Sequence, residues 1–416
     1  MAGKELINKI RKKGICGTIK LAAVKWKKTE RDFGSFRINP ARKEIVDRIL
    51  NRGYSRIVIY ENHFGYHNIM MQRPQHMLRN MGDEETLVLY NSYYDIDFKD
   101  KRRITQAAKH VYILDLYYYR KYLLSAVKRI DNKYVMVYST DTVPVSRIRQ
   151  YSSIGFKIIY EYVDDINEDL ISKKKIDQIR ARHQYLLSAK NVLTVATADK
   201  LYREARSKNE KAKIVQISNG AQCDKFDPKS ETKDQVYRQW IKEDRIHVGY
   251  YGALAGWVDY DLLKKLADNE TIQLILIGIE HDDSLKKSGL LEYKNVKYFG
   301  KKPYDSLAGY VHFWVVCLIP FLINDITKAT SPVKLFEYMA MEKPVVSTAL
   351  PECLKYSAVK IARNAQEFVS FVEEYKEDCK DEKQKELLRK CAWENDWSVK
   401  ASELKAYMGE WEKDER

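Results

Sequence analysis

"CLIPFLINDITKATSPVKLFEYMAMEKPVVST", residues 317–348, passes from an apolar β-rich run through a polar loop into a helical pattern and back into a β-rich run. Strand, loop, helix and strand in so short a span mark a crossover between parallel strands. Ser331 is a good N-cap, and Pro332 at the first helical position supplies a helical φ where its missing N–H does no harm. Lys334 then falls at the third helical position, where the macrodipole disfavours a cation. An anion bound to the free N–H groups and to the lysine would offset that cost, so the pattern suits a phosphate. Glu337 follows at i+3 on the same face, about 4.5 Å further along the axis. That is the step from a diphosphate to a ribose, whose hydroxyls a carboxylate accepts. The plain alternative is a local Lys334–Glu337 ion pair worth roughly a few tenths of a kcal/mol.

Similar β-rich runs recur outward from this stretch. Before residue 220 they are 56–61, 85–90, 110–115, 134–139, 157–163, 191–197 and 213–220; after residue 245 they are 246–252, 272–278, 296–300, 314–321, 344–348 and 358–362. Strands alternating with helical stretches give a doubly wound α/β architecture with parallel sheets. The polar interval near 226–243 separates the two series. The expected organisation is a basic arm over 1–50, a Rossmann-like domain over 51–225, a linker over 226–243, a second Rossmann-like domain over 244–395, and a closing helix over 396–416 that packs back on the first domain. Ligands of such sheets bind beyond the carboxyl ends of the strands.

The chain has 416 residues, 45% hydrophobic and 31% charged, enough for two cores. Its net charge of +15 is uneven: residues 1–43 hold 13 basic and three acidic side chains. A uniformly basic nucleic-acid surface is thereby excluded, and nucleic acid is not an expected partner. Within the arm, Ile19, Ala22, Ala23 and Trp26 share a helical face ringed by Lys20, Lys25, Lys27 and Lys28. This fits a helix lying on an anionic membrane surface, and equally a basic arm in solvent or docked on its own protein. Six scattered cysteines without a CxxC pair suit neither a zinc site nor a disulfide framework. The longest apolar run, residues 310–323, is too short to span a bilayer. A cytoplasmic location follows, with the arm as the element able to hold the chain at the inner face of the membrane.

The passage 317–348 resembles the donor-nucleotide segment of GT-B glycosyltransferases, in particular the retaining group called family 4. "YYGALAGWVDYDLL" (250–263), "VKYFGKKPYDSL" (296–307) and "SNGAQCDKF" (218–226) resemble further motifs of that group in its order. "QRPQHM" (72–77) is similar to a segment of a bacterial branch that builds surface polysaccharides of the teichuronic-acid type. The resemblance covers roughly 55–400 and implies two Rossmann-like domains facing across a cleft, a nucleotide-diphosphate sugar as donor, a glycan or lipid-linked acceptor, retention of configuration, and no metal or other cofactor. It makes Glu337 the ribose-binding glutamate and puts Gly252 and Ala253 beside the phosphates. Two departures stand out. The family pattern places a second glutamate where this chain has Ala329, and an Arg and a Lys after the first strand of the second domain, where "GALAGWVDYD" has neither. Lys334 and Lys328 are the expected substitutes for that pair, with Thr330 and Ser331 completing the donor side.

In the first domain, Gly65, Arg73 and His76 follow the first strand. Arg73 suits a phosphate or acceptor carboxylate and His76 a proton-shuttling contact; the alternative is a structural cap and a satisfied helix histidine. Asp164 and Asp165 follow another strand end and suit acceptor hydroxyls or positive charge at an anomeric carbon, with Asp164 on the catalytic side; the alternative is a solvated helix cap. "DID" (95–97) and His281-Asp282-Asp283 are not expected to hold metal. No P-loop or Gly-x-Gly-x-x-Gly is present, which argues against a P-loop NTPase and an ordinary nicotinamide or flavin enzyme. Two other readings stay open: a degenerate nucleotide-sugar-binding subunit of an assembly complex, and a sugar-nucleotide epimerase or phosphorylase on the same fold.

Overall fold

The computed structural model describes residues 38–61, 65–67, 71–168, 171, 173–378 and 381–414. The amphipathic pattern at 19–26 lies outside them. By its internal contacts the chain forms two compact units. One holds the described residues up to His67, Gly82–Tyr134 and Ile154–Phe156; the other holds those of Asn68–Met81, Val135–Ser153 and Lys157–Arg416.

In the first unit, β1 (Arg56–Tyr60), β2 (Thr86–Asn91), β3 (Ile104–Ala108) and β4 (Val111–Leu114) lie in the order β3-β4-β2-β1. β1, β2 and β4 are parallel; β3 runs antiparallel to β4 with an irregularity between Gln106 and Ala108. The helix Pro40–Leu50, capped by the Asn39 side chain, buries Val46, Ile49 and Leu50. Residues 40–50, expected as part of the basic arm, are therefore a core-forming helix. Arg42 lies over the Tyr118 ring at 4.2 Å, and Asp47 accepts from Tyr122 Oη.

The second unit takes in most of β5 (Asn132–Tyr138) with β6 (Lys157–Tyr162), β7 (Val192–Ala196) and β8 (Lys213–Gln216), adjacent in that order. It also contains a six-stranded parallel sheet of β9 (Ile246–Leu254), β10 (Ile272–Glu280), β11 (Val296–Tyr298), β12 (Val316–Ile319), β13 (Val345–Thr348) and β14 (Val359–Ala362), ordered β11-β10-β9-β12-β13-β14. Its strands are buried apolar runs because helices cover both faces. The expected linker carries the helix Gln235–Trp240, whose Tyr237 is buried and receives a 2.8 Å hydrogen bond from Trp314 Nε1.

β9 and β10 pair without interruption from Ile246–Ile272 to Leu254–Glu280. Gly252 and Gly278 are register partners with φ of +145° and +148°, and a Cβ on Gly278 would lie 1.7 Å from the Gly252 carbonyl oxygen. Only glycine fits there. The closing helix Trp397–Asp414 packs on the helix Arg73–Met81, burying Trp397, Leu404, Met408 and Trp411.

Candidate functional site

The helix over 333–340 sits where β12 hands the chain to β13. It begins one residue later than the sequence suggests: Pro332 is the N-cap and no side chain caps it. Ser331 is diverted, since its Oγ accepts from Asn219 N at 3.0 Å and its carbonyl accepts from Asn219 Nδ2 at 2.7 Å. Lys334 thus stands in the second helical position, beside N–H groups that a helix start leaves without intrahelical partners. Its Nζ lies 4.8 Å from the Phe321 ring centre and 5.3 Å from that of Tyr250. Its stem crosses β9 at Gly252, where an added Cβ would meet Lys334 Cε at 2.9 Å. Among the described residues Lys334 has no ion-pair partner. Burial pushes its pKa down to about 8, against the upward pull of Glu337.

Glu337 is 2% exposed and does not pair with Lys334. Two tyrosines hold it instead: Tyr251 Oη donates to Oε2 at 2.5 Å and Tyr304 Oη to Oε1 at 2.8 Å. Burial raises its pKa, partly countered by the tyrosines and Lys334. A carboxylate offers about four lone-pair sites, so two such bonds leave acceptor capacity. The local ion pair is therefore replaced by a fixed carboxylate and an unpaired cation one turn apart. Tyr251 and Tyr304 were missed from the sequence because tyrosine is common in this chain and no spacing singles these two out.

Arg73, the first residue of its helix, is 5% exposed and already engaged. Its Nε donates to Glu161 Oε2 at 2.8 Å, and its Nη1 to the Ser218 carbonyl at 2.8 Å and Asn219 Oδ1 at 3.3 Å. Arg73 is thus not the open phosphate or carboxylate contact expected of it: it supports Asn219, which holds Ser331. Glu161, fully buried at the end of β6 with its pKa raised by burial, is a third residue missed from sequence. His76 is stacked on Trp397, centroids 5.1 Å apart and planes 4° from parallel, and its ring lies 5.7 Å from that of Tyr304. Burial, and then Arg79, lower its pKa to about 4, so it is neutral at pH 7. Among the described residues, buried Arg73 Nη2, Glu161 Oε1 and His76 Nε2 have no hydrogen-bond partner.

The remaining residues are less concentrated. Gly252 and Ala253 lie inside β9, not in a loop after it, and the Ala253 carbonyl accepts from Tyr250 Oη. Lys328 is exposed on a short turn, Ala329 beside it is 1% exposed, and Thr330 Oγ1 donates to the Ile326 carbonyl. Asp165 is paired with Lys200 at 3.0 Å, and Lys200 also donates to the Asp325 carbonyl. Asp164 is solvent-exposed and stands beside Asp165. Gly65 belongs to the first unit, packed against Asp97 and Tyr94. Asp97 accepts from Tyr66 N, His67 N and Ser92 Oγ, and Asp95 pairs with Arg103, so "DID" organises its own loop. Among the described residues no three His, Cys, Asp or Glu side chains converge in a metal-ligating cluster, and no helix is long and apolar enough to cross a membrane.

Residues 257–378, which contain Lys334 and Glu337, match the family model described as Glycosyl transferases group 1. A Bacillus subtilis (strain 168) protein, TuaH, assigned to teichuronic acid biosynthesis as a glycosyltransferase, is 22% identical over 250 residues, 58% of this chain and 62% of that relative. The match therefore spans under two thirds of the relative's length. Among solved structures, sucrose-phosphate synthase from Thermosynechococcus elongatus superposes with a TM-score of 0.64 at 12% identity, covering 86% of this chain and all of that one. Anabaena HepE, solved with UDP-glucose, gives 0.59 at 14% identity, covering 86% and 99%. An α,α-trehalose 6-phosphate synthase from Burkholderia multivorans gives 0.59 at 11% identity, covering 87% and 100%. The fold is GT-B.

Proposed function

We propose that this chain, with a GT-B fold and a group 1 glycosyltransferase domain over 257–378, transfers a sugar from a nucleotide-diphosphate sugar to a growing surface polysaccharide or lipid-linked glycan. The observation that carries the reading is the helix start at 333: an N-terminus with no side-chain cap, Lys334 without an ionic partner among the described residues, and Glu337 pinned by Tyr251 and Tyr304. The first two suit a diphosphate, the third a ribose. The UDP-glucose bound by the structural neighbour HepE makes UDP the first base to test.

As the bond to the anomeric carbon breaks, Lys334 and the helix N–H groups stabilise charge developing on the leaving diphosphate. Transfer proceeds with retention: the acceptor hydroxyl attacks the face the phosphate leaves, and that phosphate takes the proton. The Arg73–Glu161 pair positions Asn219 and through it Ser331, and neutral His76 packs against Trp397 and Tyr304. Lys334 takes over the role of the absent Arg and Lys, and no metal is needed. The enzyme works in the cytoplasm, with residues 1–43 holding it at the inner membrane face. Buried Ala329, where the family pattern has a carboxylate, favours a second reading: a nucleotide-sugar-binding subunit without transfer activity.

Thermal shift against UDP-, GDP-, dTDP- and CDP-sugars, with Glu337→Ala as control, tests the first reading. Stabilisation by one donor, lost in the variant, together with release of the free nucleotide on adding acceptor, supports transfer. Stabilisation without turnover selects the second reading, and no shift with any donor overturns both.

A further inference from the structure

A groove of about 340 Å³ opens between the helices over 173–188 and 199–208, at the low end of the size range of small-ligand sites. It shares only Asp165 with the candidate residues above. Two carboxylates line it, each with one oxygen committed and one free. Asp165 Oδ2 accepts from Lys200 and Glu204 Oε2 from Tyr162 Oη, and among the described residues Asp165 Oδ1 and Glu204 Oε1 have no partner. Exposed Gln184 offers both a donor and an acceptor, and half-buried Ile166 supplies a small apolar surface. His183, 8% exposed, forms part of the wall; its Nδ1 is 2.7 Å from Tyr160 Oη, and its Nε2 has no partner among the described residues.

The charges balance. Arg180 and Lys208 answer the two carboxylates, and Arg180 already pairs with Glu168 at 3.4 Å. An anion would meet two free carboxylate oxygens, so a phosphate or acidic ligand is disfavoured. Free acceptors beside a small apolar patch match a sugar ring, which presents hydroxyls at its edge and C–H groups on its face.

We propose that this groove binds a neutral sugar unit of the acceptor glycan, with Asp165 and Glu204 accepting its hydroxyls and the ring lying against half-buried Ile166. The sugar class rests on the groove; its belonging to the acceptor rests on the transfer reading above.

Saturation-transfer NMR on the full chain, with neutral di- and trisaccharides of glucose, galactose and N-acetylhexosamines as probes, tests it. At least one probe binds, and Gln184→Trp, which fills the groove from an exposed position, and Glu204→Gln each weaken it roughly tenfold or more, as loss of a hydrogen bond to a charged group does. Absence of binding by every probe overturns the proposal. So does binding unchanged in both variants, or competition by inorganic phosphate. Donor thermal shifts on the same protein separate the two readings: a donor shift without saccharide binding sinks the groove alone, and saccharide binding without a donor shift leaves the groove while removing the transferase.

Discussion

Lys334 carries its charge at an energetic cost that a bound anion repays. It lies at the positive end of a helix, among aromatic rings, with its pKa lowered to about 8. A diphosphate would raise that pKa, so binding takes up a proton between about pH 8 and the ordinary lysine value. Donor affinity should hold below pH 8 and fall above it, by at most about tenfold per pH unit for a single proton. Titrating donor affinity from pH 7 to 10 checks this. Lys334→Ala should bind weakly at every pH, with the dependence gone; a wild-type profile in the variant refutes the assignment. Glu337 calls for a different test because it is held from two sides. Tyr304→Phe removes the bond to Oε1 and should weaken donor binding roughly tenfold, since hydrogen bonds to charged groups are worth about 1.5–3 kcal/mol. Isothermal titration of the single variants measures it, and unchanged affinity in both Tyr304→Phe and Tyr251→Phe would mean that the carboxylate needs no such support.

At the scale of elements, the glycine pair where β9 meets β10 makes the sharpest demand. Gly278→Ala places a methyl on the Gly252 carbonyl at a φ that side chains avoid, and should cost about 3 kcal/mol or more, read as a fall in the urea midpoint. Asn219→Ala should cost about 1–2 kcal/mol and weaken donor binding as well, because the Ser331 carbonyl loses its bond from Asn219 Nδ2 and Arg73 Nη1 loses its bond to Asn219 Oδ1, while the backbone bond to Ser331 Oγ stays. These elements differ in how far the sequence announces them. Buried parallel strands such as β9, β10 and β12 are dense apolar runs and were legible to within a few residues. β3 was not: "ITQAA" lacks a continuous apolar run and owes its place to antiparallel pairing with β4. The helix start at 333 was legible from Ser331-Pro332, but only to one residue, because a tertiary partner, Asn219, took the serine that local preference assigns to the cap. The same limit governs the site. Lys334 and Glu337 are candidates that spacing within one helix and the family resemblance single out, whereas Glu161, Tyr251 and Tyr304 reach that candidate site across long sequence separations that no local pattern encodes. Arg73 is a candidate by its position alone, and its partner was not legible, since the carboxylate that engages its guanidinium lies 88 residues away.

For the molecule as a whole, buried neutral histidines set the response to acid. His76 and His183 both titrate near 4, each lowered first by burial, then by Arg79 for His76 and by Arg182 and Lys208 for His183, with Asp396 and Asp165 pulling the other way. In the unfolded chain both regain the ordinary value near 6.5. Between about pH 6.5 and 4 the unfolded state therefore binds protons that the folded state does not, and stability falls as pH drops through that window; above it both states are neutral and the contribution is constant. The loss is on the order of 2–3 kcal/mol per histidine. His76 stacks on the closing helix through Trp397, while His183 touches Tyr160 beneath the groove, so the two penalties arise in separate parts of the second unit. Urea unfolding at pH 7 and pH 5 should show His76→Gln and His183→Gln each flattening the pH dependence, with the double variant adding the two effects. If both single variants keep the wild-type slope, acid sensitivity originates elsewhere and neither ring is held neutral by its burial.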